Sequence, residues 1–151
     1  MKKTWKQRKS GLIQKTDIFD NAVQNITEYE DEIRGIDLRL KEIREAKRQM
    51  LAYAKTKNIY QGYVSSGYSK AYLSEYEEDI GRHKNAKEFF NKHGRLNAAE
   101  LKDEYNSLIR RRKEVKNELY RSRQKMKELE TIKANAEAII GGENTMISTE
   151  R

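Results

Sequence analysis

The 151-residue sequence contains no cysteine and no proline. Lacking cysteine, the chain can build neither a disulfide framework nor a thiolate metal site, and it suits a reducing compartment. Lacking proline, none of its helices is stopped by a residue without a backbone N–H. Apolar residues make up only 36% and charged residues 37%. That is little material for a globular core and ample material for long helices with wet outer faces. No apolar run approaches the ~20 residues needed to span a bilayer. The basic start MKKTWKQRKS is followed by SGLIQKTDIF, which is too polar for the apolar region of a signal peptide. The chain reads as a soluble, cytoplasmic protein of one-domain length, without a membrane partner.

What is present is a long apolar repeat. Residues 97–140 hold no glycine, and Leu101, Tyr105, Leu108, Val115, Leu119, Met126, Leu129, Ala136 and Ile140 recur three and four apart. Arg112, Ser122 and Lys133 are the positions that interrupt the stripe. A 3.5-residue repeat sustained this long predicts a helix with one narrow sticky seam, which needs a partner helix. The same spacing runs through Phe19, Ala22, Ile26, Tyr29, Ile33, Ile36, Leu40, Ile43, Met50 and Ala54, with Lys47 as its charged exception and Gly35 off the seam. Thr16 or Asp17 suits the N-cap of this first helix, which is expected over residues 16–60 and to end before Gly62. Each segment covers about 44 residues, or roughly 65 Å. Two matched lengths with a return connection predict an antiparallel coiled-coil hairpin, closed within one molecule because intramolecular pairing has a high effective concentration. Parallel dimerisation with a second copy is the alternative.

Between the two segments lies a shorter insert. Gly62 and Gly67 are expected to bracket a turn, Ser69 to cap a helix over 69–93, and Gly94 to end it. Leu73, Tyr76, Ile80, His83 and Phe90 share one face of that helix. Tyr60, Tyr63, Tyr68, Tyr72 and Tyr76 crowd the same region; such tyrosines either stack on bases or form the core of a compact tip. Asn97 with Glu100 makes a capping-box start for the helix over 97–140. Gly141 and Gly142 are expected to end it, leaving residues 142–151 as a loose tail. Residues 1–15 carry Lys2, Lys3, Lys6, Arg8, Lys9 and Lys15 around Trp5 and no acidic residue, which predicts a flexible basic arm. So abrupt a start also fits the edge of a larger ancestral protein.

The net charge of +8 favours a polyanionic partner, nucleic acid above all. Arg110, Arg111, Arg112, Lys113, Lys116, Arg121, Arg123, Lys125 and Lys127 stand against only Glu114 and Glu118. Such a run can neutralise backbone phosphates with little sequence preference; it can equally be a solvated coiled-coil face. A second basic run comprises Arg44, Lys47 and Arg48. In an antiparallel hairpin this run would face Arg110–Lys113, while Glu28–Glu32 would face Lys125–Lys127. No catalytic constellation is apparent. His83 and His93 lack the spacing that places two imidazoles on one helix face, so a structural role is expected for both, with no metal and no cofactor. No glycine-rich phosphate cradle occurs.

The stretches YQGYVSSGYSKAYLSEYEEDIGRHKNAKEFF (60–90), LKDEYNSLIRRRKEVKNELYRSRQKMKEL (101–129) and TIKANAEAIIG (131–141), with EIREAK and YAKTKNIYQGY before them, resemble the C-terminal helical region of relaxases, the mobilisation nucleases of conjugative and mobilisable elements. The likeness spans roughly residues 5–141. The family nicks DNA through an N-terminal domain with a nucleophilic tyrosine and a metal-holding histidine cluster. Nothing in this sequence matches that domain, so no tyrosine here inherits the nucleophile role. The resemblance implies a non-catalytic accessory module of DNA mobilisation, whose partners are the DNA backbone, relaxosome proteins or a second copy. The candidate DNA-contacting residues are Arg44, Lys47, Arg48, Arg110, Arg111, Arg112, Lys113, Lys116, Arg121, Arg123 and Lys125. The rival expectation is a coiled-coil interaction or oligomerisation module that touches no nucleic acid.

Overall fold

The computed structural model describes the backbone of residues 5–149 and the side chains of residues 17–142. The arm expected to be flexible is helical from Trp5 onward, and the side chains of residues 1–16 and 143–151 lie outside the described residues. Within them the chain is all-α: α1 (Trp5–Ser65), α2 (Lys70–Glu75), α3 (Glu77–His93) and α4 (Ala98–Thr149). No helix is long and apolar enough to cross a membrane among the described residues.

Several helix ends follow the local chemistry. The Ser69 hydroxyl accepts a hydrogen bond from the Tyr72 N–H and caps α2. Gly94, at φ 78°, ends α3, and its N–H donates to the Phe90 carbonyl at 2.8 Å. Asn97 Oδ1 accepts from the Ala99 and Glu100 N–H groups at 2.9 and 3.3 Å and opens α4. These contacts satisfy backbone groups that a helix end would otherwise leave orphaned.

Four expected boundaries differ. Thr16 and Asp17 fall inside α1 rather than capping it; either is tolerated in a helix interior at a few tenths of a kcal/mol. Gly62 is also interior to α1, where it permits close approach of the Tyr72 ring. The turn is instead made by Gly67 (φ 70°) and Tyr68 (φ 59°), with the Tyr68 N–H donating to the Tyr63 carbonyl at 3.1 Å. The expected single helix over 69–93 breaks at Tyr76, whose backbone (φ −116°, ψ 28°) ends α2 and starts α3. Glu77, Glu78 and Asp79 occupy the first turn of α3, where carboxylates complement the positive end of the helix dipole. Gly141 and Gly142 do not end α4, which runs on to Thr149; glycine in a helix costs only about 1 kcal/mol each.

The chain divides into two compact units, Met1–Gly35 with Arg111–Arg151, and Ile36–Arg110. In the first, Ala22, Val115 and Leu119 are buried. Phe19, Ile26, Tyr29, Ile33, Ser122, Met126 and Leu129 are half-buried, so the predicted stripe holds across this unit as far as Leu129. Beyond it Lys133, Ala136 and Ile140 are exposed, and the expected seam is uncovered there.

In the second unit Ile43, Ala46 and Leu101 form a buried cluster, with Met50, Phe89, Leu96, Tyr105 and Leu108 packed around it. The α1 stripe changes course here. Lys47, the expected charged exception, is exposed, and so is Ala54, while Ala46, Thr56 and Tyr63 are buried and Tyr53 and Tyr60 half-buried. The cause is α3, which lies on that side of α1. His83, only 2% exposed, is sandwiched between the rings of Tyr53 and Tyr60, at centroid distances of 4.7 and 4.4 Å. Thr56 Oγ1 donates to the Ala52 carbonyl at 2.7 Å, so its remaining capacity towards His83 Nδ1 at 2.9 Å is as acceptor. That assigns the proton of neutral His83 to Nδ1. Burial, then the Lys87 charge, push the His83 pKa below its ordinary value.

Candidate nucleic-acid interface

A helix presents different residue sets on different faces, so the basic run of α4 must be sorted by direction. At 3.6 residues per turn, Lys113, Lys116, Tyr120, Arg123 and Lys127 recur at three, four, three and four and share one flank. Glu114 and Glu118 fall on the other flank, among Arg111, Arg121 and Lys125. The first flank therefore has no carboxylate of its own between Lys113 and Lys127. Tyr120 stands in its middle, 65% exposed. Glu30, Ile33 and Arg34 of α1 complete a shallow cleft with Lys116, Tyr120 and Arg123.

Ion pairing decides which cations remain available. Arg111 donates to both carboxylate oxygens of Glu32, at 2.6 and 3.1 Å, and this raises its pKa. Arg123 donates to Glu30 at 3.0 Å. Arg112 is half-buried and already engaged. Arg34 pairs with Asp31. Among the described residues, Lys113, Lys116, Arg121, Lys125 and Lys127 make no ion pair. The acidic run 28–32 thus meets arginines, not the expected Lys125 and Lys127. The arginine fork matches a carboxylate with two parallel bonds, and an ammonium cannot.

The remaining candidates belong to the second unit. Arg48 pairs with Glu45 at 2.6 Å, and Arg110 lies 3.5 Å from the Ser107 hydroxyl. Arg44 and Lys47 lie over the Tyr105 ring, at 6.0 and 5.1 Å from its centroid. Their neighbour on α4 is thus an aromatic face that attracts cations, where a repelling basic run was expected. Arg39, not singled out in the sequence, bridges to Glu104 with bonds of 2.7 and 3.0 Å and holds that carboxyl below its usual range.

Sequence reasoning passed over Tyr120 and Arg34. The signal for Tyr120 was the three-four spacing of its cationic neighbours. Arg34 is one of several basic residues in α1, and only the packing of α1 on α4 sets it apart by placing it in the cleft. No group of three or more potential metal ligands occurs among the described residues. No family model matches the chain, nor does any curated protein or solved structure.

Proposed function

We propose that the chain is a non-catalytic, DNA-associated module of the kind found in the C-terminal helical region of relaxases, and that its α4 flank grips the phosphate backbone. The observation that carries this reading is the row Lys113, Lys116 and Lys127, three lysines without an ion pair among the described residues, on a flank of α4 that has no carboxylate of its own. The row spans about 21 Å of helix, enough to follow several successive phosphates. An antiparallel coiled-coil hairpin of α1 and α4 is part of the proposal. Two sets of pairs support it. Glu30 meets Arg123 while Glu32 meets Arg111 in one unit. In the other, Arg39 meets Glu104 and Ile43 clusters with Leu101.

Three neutralised phosphates give a salt slope of about −2.7, so affinity should drop roughly 40-fold between ~50 and ~200 mM salt. Anisotropy titration of labelled duplex and single-stranded oligonucleotides measures this. Lys113→Glu, Lys116→Glu and Lys127→Glu together should abolish most of the binding and flatten the slope, because none of the three lysines holds the fold together. Absence of binding at ~50 mM salt would end this reading.

A second reading, a protein-interaction coiled coil, is favoured by one observation: Ile132, Ile139 and Ile140 are exposed large apolar residues near one end of α4. Sedimentation discriminates the two. A concentration-dependent dimer, indifferent to charge reversal at the three lysines and accompanied by no DNA binding, would support the second.

A further inference from the structure

In the unit Ile36–Arg110, α3 covers α1 over only part of its length. Tyr53 touches both His83 and Phe90, and Phe89 packs on the cluster containing Ile43 and Ala46, so α3 descends towards the lower numbers of α1. It stops at His93, whose ring lies on Phe89 at 4.3 Å. Past that point a groove continues along α1. Its walls include Leu38, Phe89 and Leu96, and its floor reaches the buried residues Ile43, Ala46 and Leu101. Leu38 is 61% exposed, a large aliphatic side chain beside an apolar trough where the third helix has ended.

The rim is charged unevenly. Glu42 is taken by Arg39 at 3.0 Å, and Glu45 by Arg48 at 2.6 Å and by Gln49 at 2.9 Å. Lys41 makes no described ion pair, and Arg44 has only the Tyr105 ring. The uncommitted charge around the groove is therefore positive, while its floor is apolar. We infer that this groove docks an acidic amphipathic helix of a partner protein, laid where α3 leaves off, with aliphatic anchors beside Leu38 and carboxylates towards Lys41 and Arg44. This is helix-in-groove recognition with charge selecting the partner. It is independent of the α4 flank.

The test uses the full chain and two labelled helical peptides of about 18 residues, with leucines at i, i+3, i+4 and i+7 and either glutamates or lysines on their flanks. Saturable binding of the glutamate peptide is expected, about tenfold tighter than of its lysine twin. Leu38→Glu, a change at an exposed site that leaves the far-ultraviolet dichroism intact, should weaken it about tenfold, and Lys41→Glu should weaken the glutamate peptide alone. Equal affinity for the two peptides, no saturation, or indifference to Leu38→Glu would overturn the inference. So would displacement of the bound peptide by an oligonucleotide, which would assign the rim cations to nucleic acid.

Discussion

Alanine placed at Gly62 should destabilise the protein, although alanine at Gly35 should stabilise it. Both glycines lie inside α1, where alanine ordinarily gains about 1 kcal/mol. At Gly35 nothing lies within 4 Å of an added Cβ, so that gain should appear in full. At Gly62 the Cβ would overlap the Tyr72 hydroxyl and stand 3.0 Å from its Cζ. The Tyr72 hydroxyl donates to the Ile59 carbonyl at 2.8 Å, and the ring contacts Tyr63 and Tyr76 at centroid distances of 6.2 and 4.7 Å. Moving it forfeits a hydrogen bond worth about 1 kcal/mol and two aromatic contacts worth about 0.5–1.5 kcal/mol each. The net change should be a loss of about 1–3 kcal/mol, placing the two variants about 2–4 kcal/mol apart. Urea unfolding followed by helical dichroism measures the difference. In a Tyr72→Ala background the obstacle is gone, and Gly62→Ala should regain its stabilising sign. If Gly62→Ala raises stability in the native background, the docking of α2 onto α1 through Tyr72 is misassigned.

Two further predictions concern His83. Its folded pKa is depressed, so the unfolded chain binds more protons and stability falls as pH drops through about 6.5 towards the lower folded value, at up to about 1.4 kcal/mol per pH unit. Urea midpoints at several pH values between neutrality and about 5 should show this slope, and His83→Phe should remove it. Thr56→Val leaves the buried Nδ1–H without its acceptor and should cost about 1–3 kcal/mol, whereas Thr56→Ser should cost well under half of that; equal losses would show that the methyl packing, not the hydroxyl, matters.

Where a helix end is made by its own neighbours, the sequence sufficed. Ser69, Gly94 and Asn97 lie at the boundaries they announce, because cap chemistry needs nothing beyond four or five residues. The apolar stripe was legible as far as Ile43 for the same reason: a two-helix seam repeats by rule. It failed at Ala54 because α3 lies against α1 there, and a helix with two neighbours buries a wider face than a helix with one. No local pattern announces that Tyr53, Thr56 and Tyr60 will close around an imidazole 23 to 30 residues away. Gly62 looked like a stop because glycine's freedom and glycine's smallness carry the same letter.

The candidate interface divides along the same line. That residues 110–127 are basic could be counted. Which of them stay available depends on partners 79 and 93 residues distant, since Glu32 removes Arg111 and Glu30 occupies Arg123. What survives is lopsided. On the flank bearing Glu114 and Glu118, acid and base are mixed, the usual arrangement when charge only keeps a helix soluble. On the opposite flank Lys113 adjoins Lys116 and Arg123 adjoins Lys127, like-charge neighbours that each cost the free helix a few tenths of a kcal/mol. Arg123 is the one of these four with an internal carboxylate, and that carboxylate comes from α1, not from the flank itself. A polyanion along this flank would relieve the repulsion and leave the α1–α4 pairs Arg111–Glu32 and Arg39–Glu104 untouched. The cations that hold the helices together, such as Arg111 and Arg39, and the lysines assigned to phosphate in the proposed function are different residues, so charge reversal at those lysines should leave the fold in place.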